Sequence, residues 1–329
     1  MADTEIKRSL RIKSFNFISY IKSSREVLLG LIIIVAFILL SLFLPNFFSK
    51  SNLLSILMGI SLSTIIVIGV TVVMVSGMVD LSVGSIYACA AYAVAIPMRQ
   101  GLPIWLAILI GLATALAWGS LNGFLISKIK VNFLIATLST MFMARGVVYI
   151  LSSGRVVSGF PKSFLTFGQG SFLGISSLIW IAIISIPIAD LLLHEIVSIR
   201  QFYRLGGNET SARLAGITVD RLKWAAFITS GLLAGLAGIL SISRFGAAMA
   251  LMGEGEELQA ITACVIGGCT LRGGKGSAIG SFLGLIFLAL VKDAMVLMYI
   301  SVFYQRFIMG AILAIVVSID QLTRRKQES

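Results

Sequence analysis

Few residues of this 329-residue chain could carry out covalent chemistry, and their spacing excludes most of it. His194 is the lone histidine, so no site needing two imidazoles can form. No serine sits in a G-x-S-x-G elbow and no H-E-x-x-H occurs; His194-Glu195 reads as a solvated helix end. Cys89, Cys264 and Cys269 lie within or beside apolar runs, with neither a disulfide framework nor metal spacing, and read as small packing residues. The glycine-rich stretch Gly267 to Ser277 misses the phosphate-loop pattern, because Lys275 is followed by Gly276 and not by Ser or Thr. The expectation is a chain with no catalytic residue, no metal site and no cofactor. Any energy source must come from a partner.

The residues left to consider are polar groups inside an apolar chain. One long polar segment, His194 to Lys223, holds Glu195, Arg200, Arg204, Glu209, Arg213, Asp220, Arg221 and Lys223. It reads as helix, turn, helix. Gly206-Gly207 breaks the chain, Asn208 is an N-cap, Glu209 favours the positive end of the helix dipole, and Gly216 stops the short helix through Arg213 and Ala215. Two glycine-bearing interruptions, Gly77 to Ser85 and Gly267 to Ser277, fall between apolar runs. Such breaks are tolerated in lipid only where protein or a water-filled cavity satisfies the freed backbone groups. Asp80, with Ser82 and Ser85 behind it, is expected to cap the following span. Arg145, near the end of the fifth span, is expected to snorkel to the interface. Glu254, Glu256 and Glu257 form an acidic cluster, read either as a solvated loop or as a docking point for a soluble partner.

The elements that must position these groups are membrane helices. Hydrophobic residues make up 58% of the chain and charged residues 12%, against ~45–50% and ~25% in soluble domains. Apolar runs near 27–44, 53–76, 83–97, 103–126, 133–151, 173–193, 224–243, 258–271, 277–291 and 307–322 predict an all-α polytopic protein of about ten spans. Two runs are short, which suggests broken or tilted helices. The organisation expected is a tail over 1–26, one transmembrane unit over 27–322 containing the 194–223 loop, and a tail over 323–329. The two interruptions hint at related halves, roughly 53–151 and 224–322. Small residues four apart, at Gly119 and Gly123, Gly231 and Gly235, Ala234 and Gly238, and Gly280 and Gly284, predict close helix packing. The net charge of +12 is a topology signal, not a nucleic-acid signal. With both tails inside, most basic residues fall on the cytoplasmic side, including Lys128, Lys130 and those of the 194–223 loop.

These residues resemble a known family. GGNETSARLAGI at 206–217 is similar to the cytoplasmic coupling segment of the simple-sugar (ribose-type) permeases of bacterial ABC importers. GMVDLSVGS at 77–85 and GEGEELQAITACVIGGCTLRGGKGS at 253–277 resemble two further segments of that family, and the matches run in order along nearly the whole chain. The resemblance implies a subunit of the bacterial inner membrane, paired with a second permease subunit. Cytoplasmic ATPase partners would bind ATP and Mg, and a periplasmic binding protein would deliver a monosaccharide or similar neutral polyol. Carried over, Gly206, Gly207, Asn208, Glu209, Ala212, Arg213 and Gly216 would meet the ATPase. Asp80, Ser82, Ser85, Gly267, Gly268, Thr270, Gly273 and Gly274 would shape the path or its gate, and Glu254, Glu256 and Glu257 would meet the binding protein. A branched-chain amino-acid permease and an ion-coupled transporter are the alternatives; the latter usually needs more ionisable residues within the spans.

The basic-residue bias makes a direct prediction. A single cysteine at position 210 should label only from the cytoplasmic side of intact cells, and cysteines at 160 and 250 only from outside. Labelling of position 210 from outside would overturn the assignment.

Overall fold

A computed structural model of the chain describes residues 25–328. The tail through residue 24, with Lys7, Arg8, Arg11, Lys13 and Lys22, lies outside the described residues, as do the side chains of Arg324, Arg325 and Lys326. Each predicted span is met by a helix. The first half holds α1 (Arg25–Phe43), α2 (Lys50–Val75), α3 (Val83–Arg99), α4 (Ile104–Ser127) and α5 (Phe133–Ser152). A short strand β1 (Val157–Ser158), a small helix α6 (Lys162–Gln169) and the hairpin β2 (Ser171–Phe172) and β3 (Ile175–Ser176) lead into α7 (Ser177–Glu195). Then come α8 (Val197–Gly207), α9 (Glu209–Leu214), α10 (Val219–Phe245), β4 (Ala247–Ala248), α11 (Glu256–Ile266), α12 (Ala278–Leu297) and α13 (Val302–Glu328).

Eight of these helices are long and apolar enough to cross a membrane. Of the ten helices that meet predicted spans, the two outside those eight are α3 with 17 residues and α11 with 11, both over short apolar runs. At about 1.5 Å per residue they span about 25 and 16 Å of a ~30 Å hydrocarbon core. Some boundaries differ from expectation. Residues 173–176 belong to the hairpin, α10 begins at Val219, and α13 carries on through the expected tail to Glu328. The run 258–271 stops at Ile266 because Gly267 ends α11 and Gly268, at φ 98°, turns the chain.

Helices α2 and α10 form the centre. In their most apolar stretches 78% and 61% of residues are buried, against 6% in α1 and α13. Helix α10 packs on α2, α3 and α4, and the predicted small-residue pairs sit at these seams. A side-chain carbon on Gly119 would lie 2.6 Å from the Phe227 carbonyl oxygen, and one on Gly231 2.9 Å from that of Ala115. Gly280 and Gly284 do the same for α12 against α11, where Gly267 and Ala263 face them.

The two halves are related, but through a different pair of breaks from the one expected. Helices α2 and α10 run antiparallel: Arg244 Nη1 donates to the Met58 carbonyl at 2.7 Å, while Gly69 meets Ser230. Each is followed by a non-helical stretch and then a short helix, residues 76–82 before α3 and residues 246–255 before α11. The stretches enter from opposite ends of the bundle and meet where the Gly84 and Gly253 carbonyls each lie at the spot the other's side chain would occupy. The counterpart of Gly77 to Ser85 is therefore 246–255, whereas 267–277 is the turn joining α11 to α12. The second break hides from a hydropathy reading because its first seven residues, GAAMALM, are apolar apart from the one glycine.

Arg145 of α5 closes this crossing. Its Nη1 donates to the carbonyls of Ala250 and Met252, both at 2.8 Å, and its Nη2 to that of Gly84 at 3.2 Å. It does not snorkel, because the loop carbonyls of Ala250 and Met252 and that of Gly84 in the first turn of α3 lie within its reach inside the bundle. Strands β1 and β4 pair antiparallel, Val157 to Ala248 and Ser158 to Ala247, and Tyr92 donates from its hydroxyl towards the Arg155 and Ala248 carbonyls at 3.0 and 3.2 Å. Replacing Arg145 by Met should destabilise the detergent-solubilised protein by on the order of 2–3 kcal/mol, since bonds to a charged donor are lost and their acceptors stay buried. A lowered thermal midpoint for Arg145→Met checks this; an unchanged midpoint would show that the carbonyls find other donors.

Candidate functional site

The segment 194–223 folds as two helices around one extended residue. Helix α8 buries Phe202 and Leu205 while Arg204 faces out. It continues through Gly206 and Gly207, so the turn falls at Asn208, at φ −161° and ψ 106°, and not at the glycine pair. Asn208 then caps α9, its Oδ1 accepting from the Ser211 amide at 2.9 Å. Ala212 is buried against Leu205 and Val219, and Gly216, at φ 78°, lets the chain leave the helix.

The charges at this end interlock. Glu209 accepts from Lys223 at 2.7 Å and Arg213 at 3.2 Å, while Asp220 accepts from Lys130 at 2.6 Å. These bonds tie α9 to α10 and α10 to the turn between α4 and α5. Partial burial pushes the Glu209 carboxyl up, but Lys223 and Arg213 outweigh it and hold the group below the ordinary carboxylate range. Glu209 is thus a fixed anion on a largely exposed helix.

The glycine pair has another role. Gly206 packs directly on the Val75 carbonyl at the end of α2, on Gly273 and on the Gly274 amide. Gly273, at φ 86°, lies against the backbone of Gly77, itself at φ 81°, and Gly274 N donates to the Val75 carbonyl at 2.8 Å. A side-chain carbon on Gly274 would lie 2.9 Å from Gly207. Three segments that stood apart in the sequence, 77, 206–207 and 273–274, therefore form one junction of main-chain atoms. Tyr203 of α8 reinforces it, donating from its hydroxyl to the Gly276 carbonyl at 2.8 Å.

Asp80, Ser82 and Ser85 are buried among protein atoms. Asp80 does not cap α3 directly. Its Oδ1 accepts from the Ser82 amide at 2.9 Å and hydroxyl at 2.6 Å, and its Oδ2 from Ser230 of α10 at 2.8 Å. Ser82 in turn accepts from Asn122 of α4 at 2.8 Å, and Asn122 from Thr140 of α5 at 2.6 Å. Every donor in this chain points towards the carboxylate, so each bond polarises the next. Thr270 donates to the Gly273 carbonyl at 2.6 Å and holds the turn beyond Gly267 and Gly268.

The acidic trio is not one patch. Glu254 is exposed, Glu256 accepts from Ser63 of α2 at 2.8 Å, and Glu257 accepts from the Gly255 amide at 3.3 Å. Sequence reading passed over Asn122, Thr140, Tyr203 and Ser230. Asn122, Thr140 and Ser230 are uncharged polar residues in apolar helices and Tyr203 is one of several polar residues of α8, a weak signal until the partner on another element is known.

Comparison with known proteins gives one consistent answer. Residues 52–317 match the family described as branched-chain amino acid transport system / permease component. The L-arabinose transport system permease protein of Escherichia coli is 36% identical over 302 residues, covering 91% of this chain and 92% of its own length. The ribose import permease protein of Haemophilus influenzae is 36% identical over 303 residues, 91% of this chain and 93% of its own. That of Bacillus subtilis is 36% identical over 295 residues, 89% and 91%. With ten helices in the bundle, two breaks crossing at its middle and a match along nearly all its length, the chain belongs to this family of transport-system permease components.

Proposed function

We propose that the chain is the membrane subunit of an ATP-driven importer for a monosaccharide or similar neutral polyol, in the bacterial inner membrane. The relatives named for arabinose and ribose support the substrate class. The observation that carries the mechanism is the glycine junction. Helix α9 presents fixed charges to a soluble partner, and the helix just before it, α8, touches both the end of α2 and the turn between α11 and α12 through backbone alone.

In this reading the end bearing α8 and α9 is cytoplasmic, with both termini on that side. A cytoplasmic ATPase engages Asn208, Glu209, Ala212 and Arg213. Its closure displaces α8, and Gly206 carries that displacement to Gly77 and Gly273. Both short helices, α3 and α11, adjoin segments moved in this way, so one push reaches both halves. A periplasmic binding protein delivers the solute from the opposite side, and a second permease subunit completes the transporter.

Two substitutions separate engagement from transmission. Glu209→Arg sets a third cation beside Arg213 and Lys223 and reverses a helix-end interaction of ~0.3–1 kcal/mol; ATPase association should weaken and uptake should be lost. Gly206→Ala forces a methyl into the Val75 carbonyl; the ATPase should still co-purify while uptake is lost. Uptake at wild-type levels in both would remove this region from the mechanism, and transport of an amino acid but no sugar would overturn the substrate class.

A further inference from the structure

We infer that Cys264 and Cys269 form a redox site, at which a hydroperoxide joins the two sulfurs, stiffens the end of α11 and slows the transport cycle. The consequence for transport rests on the importer reading above; the chemistry of the pair does not. The two residues meet through the way α11 ends. Gly268 N donates to the Val265 carbonyl at 3.1 Å and Cys269 N to that of Cys264 at 2.8 Å, with Gly268 at φ 98°. In a helix stop with these two bonds, the side chains at the ends of the longer one pack on each other. Here those side chains are the two thiols, and they contact each other directly. A disulfide requires Cα atoms about 4.4–6.8 Å apart, and the main-chain bond between the two residues holds them within that span. Two hydroxyls complete the cluster. That of Thr71 on α2 lies 3.4 Å from the Cys264 sulfur, that of Ser281 on α12 lies 3.3 Å from the Cys269 sulfur, and Thr71 donates to Ser281 at 2.8 Å. All four side chains are buried.

Burial usually makes a thiol inert, so access decides whether such a pair reacts. The main chain of Gly276 lies directly on Cys269: a side-chain carbon there would sit 2.5 Å from the sulfur. Tyr203 of α8 holds that cover in place, donating to the Gly276 carbonyl at 2.8 Å. The cover is therefore a stretch of main chain at the end of the bundle that carries α8 and α9, tied to the helix that the ATPase displaces. When α8 moves, Cys269 is opened to an oxidant as small as hydrogen peroxide. The Cys269 sulfur attacks one peroxide oxygen: the S–O bond forms, the O–O bond breaks, and the departing hydroxide takes the thiol proton and leaves as water. Cys264 then attacks the sulfenic sulfur, so that the S–S bond forms and the S–O bond breaks with loss of a second water. The two sulfurs give up two electrons and the peroxide accepts them. The product closes a ring across Gly267 and Gly268, the residues about which α11 and the following turn can flex. Transport that needs this flexing stops until a thiol reductant of the cytoplasm reopens the ring.

The test uses permease, ATPase and binding protein together in liposomes of phosphatidylethanolamine and phosphatidylglycerol. After treatment with hydrogen peroxide, peptide mass spectrometry should find Cys264 joined to Cys269, two hydrogens lighter than the dithiol. Cys89, buried against Trp118, should stay a free thiol. Oxidation should be several-fold faster during ATP turnover than without nucleotide, and faster in Tyr203→Phe, which frees Gly276. Uptake of ribose or arabinose should fall several-fold and return with dithiothreitol. Cys264→Ser and Cys269→Ser share the same ATPase and binding protein, so uptake that survives peroxide in both assigns the loss to this pair; alanine replaces serine if either variant does not assemble. Absence of the disulfide, oxidation of Cys89 at the same rate, rates indifferent to ATP, or equal loss of uptake in the variants would overturn the inference. A disulfide that leaves uptake unchanged would overturn it too. If the untreated complex moves neither pentose, the importer reading fails by itself, and the peptide mapping still decides whether the two cysteines are the redox site.

Discussion

A helix that begins inside a membrane is preceded by backbone groups that lipid cannot satisfy, and here two helices, α3 and α11, begin where the breaks cross. Arg145 is the answer to that constraint. One planar guanidinium reaches the Gly84 carbonyl at the start of α3 and the Ala250 and Met252 carbonyls of the second break. A lysine at this position could not fork between two segments in the same way. The short α3 and α11 both start at this crossing, beside the antiparallel pair α2 and α10.

Small residues supply the second requirement, close approach. Gly69, Gly119, Gly231, Gly235 and Gly238 bring α10 against three helices, and hydroxyls and one carboxamide then bridge the seams at chosen points. The chain of donors from Thr140 through Asn122 and Ser82 to Asp80 binds α5, α4 and the first break together, and Ser230 brings in α10 from the other side. A side-chain network of this kind fixes register where dispersion forces alone would tolerate sliding.

Much of this was legible in the residues. Apolar run length placed every spanning helix, because hydropathy is a local property and lipid enforces it segment by segment. Asn208, Glu209 and Gly216 announced α9 for the same reason, since capping is decided within four residues. What stayed hidden was relational. Residues 246–252, GAAMALM, carry no polar side chain, so the partner of the first break was not marked in the sequence, and Gly267 to Ser277 stood in its place. Arg145 looked like an interface residue because its three acceptors lie 61 to 107 positions away in sequence. Gly77, Gly206 and Gly273 each had an ordinary local explanation as a turn or helix end, and only their coming together gave them a common purpose.

That meeting point has a mechanical consequence. Where two side chains touch, a displacement on one side can be absorbed by rotation about χ angles before the other side responds. Gly77, Gly206 and Gly273 have no such angles, and Gly206 bears directly on the Val75 carbonyl. The joint between α8 and the ends of both short-helix segments therefore has no rotameric slack. A displacement there can be taken up only by the main chain itself, through φ and ψ, and not by the turning of a side chain.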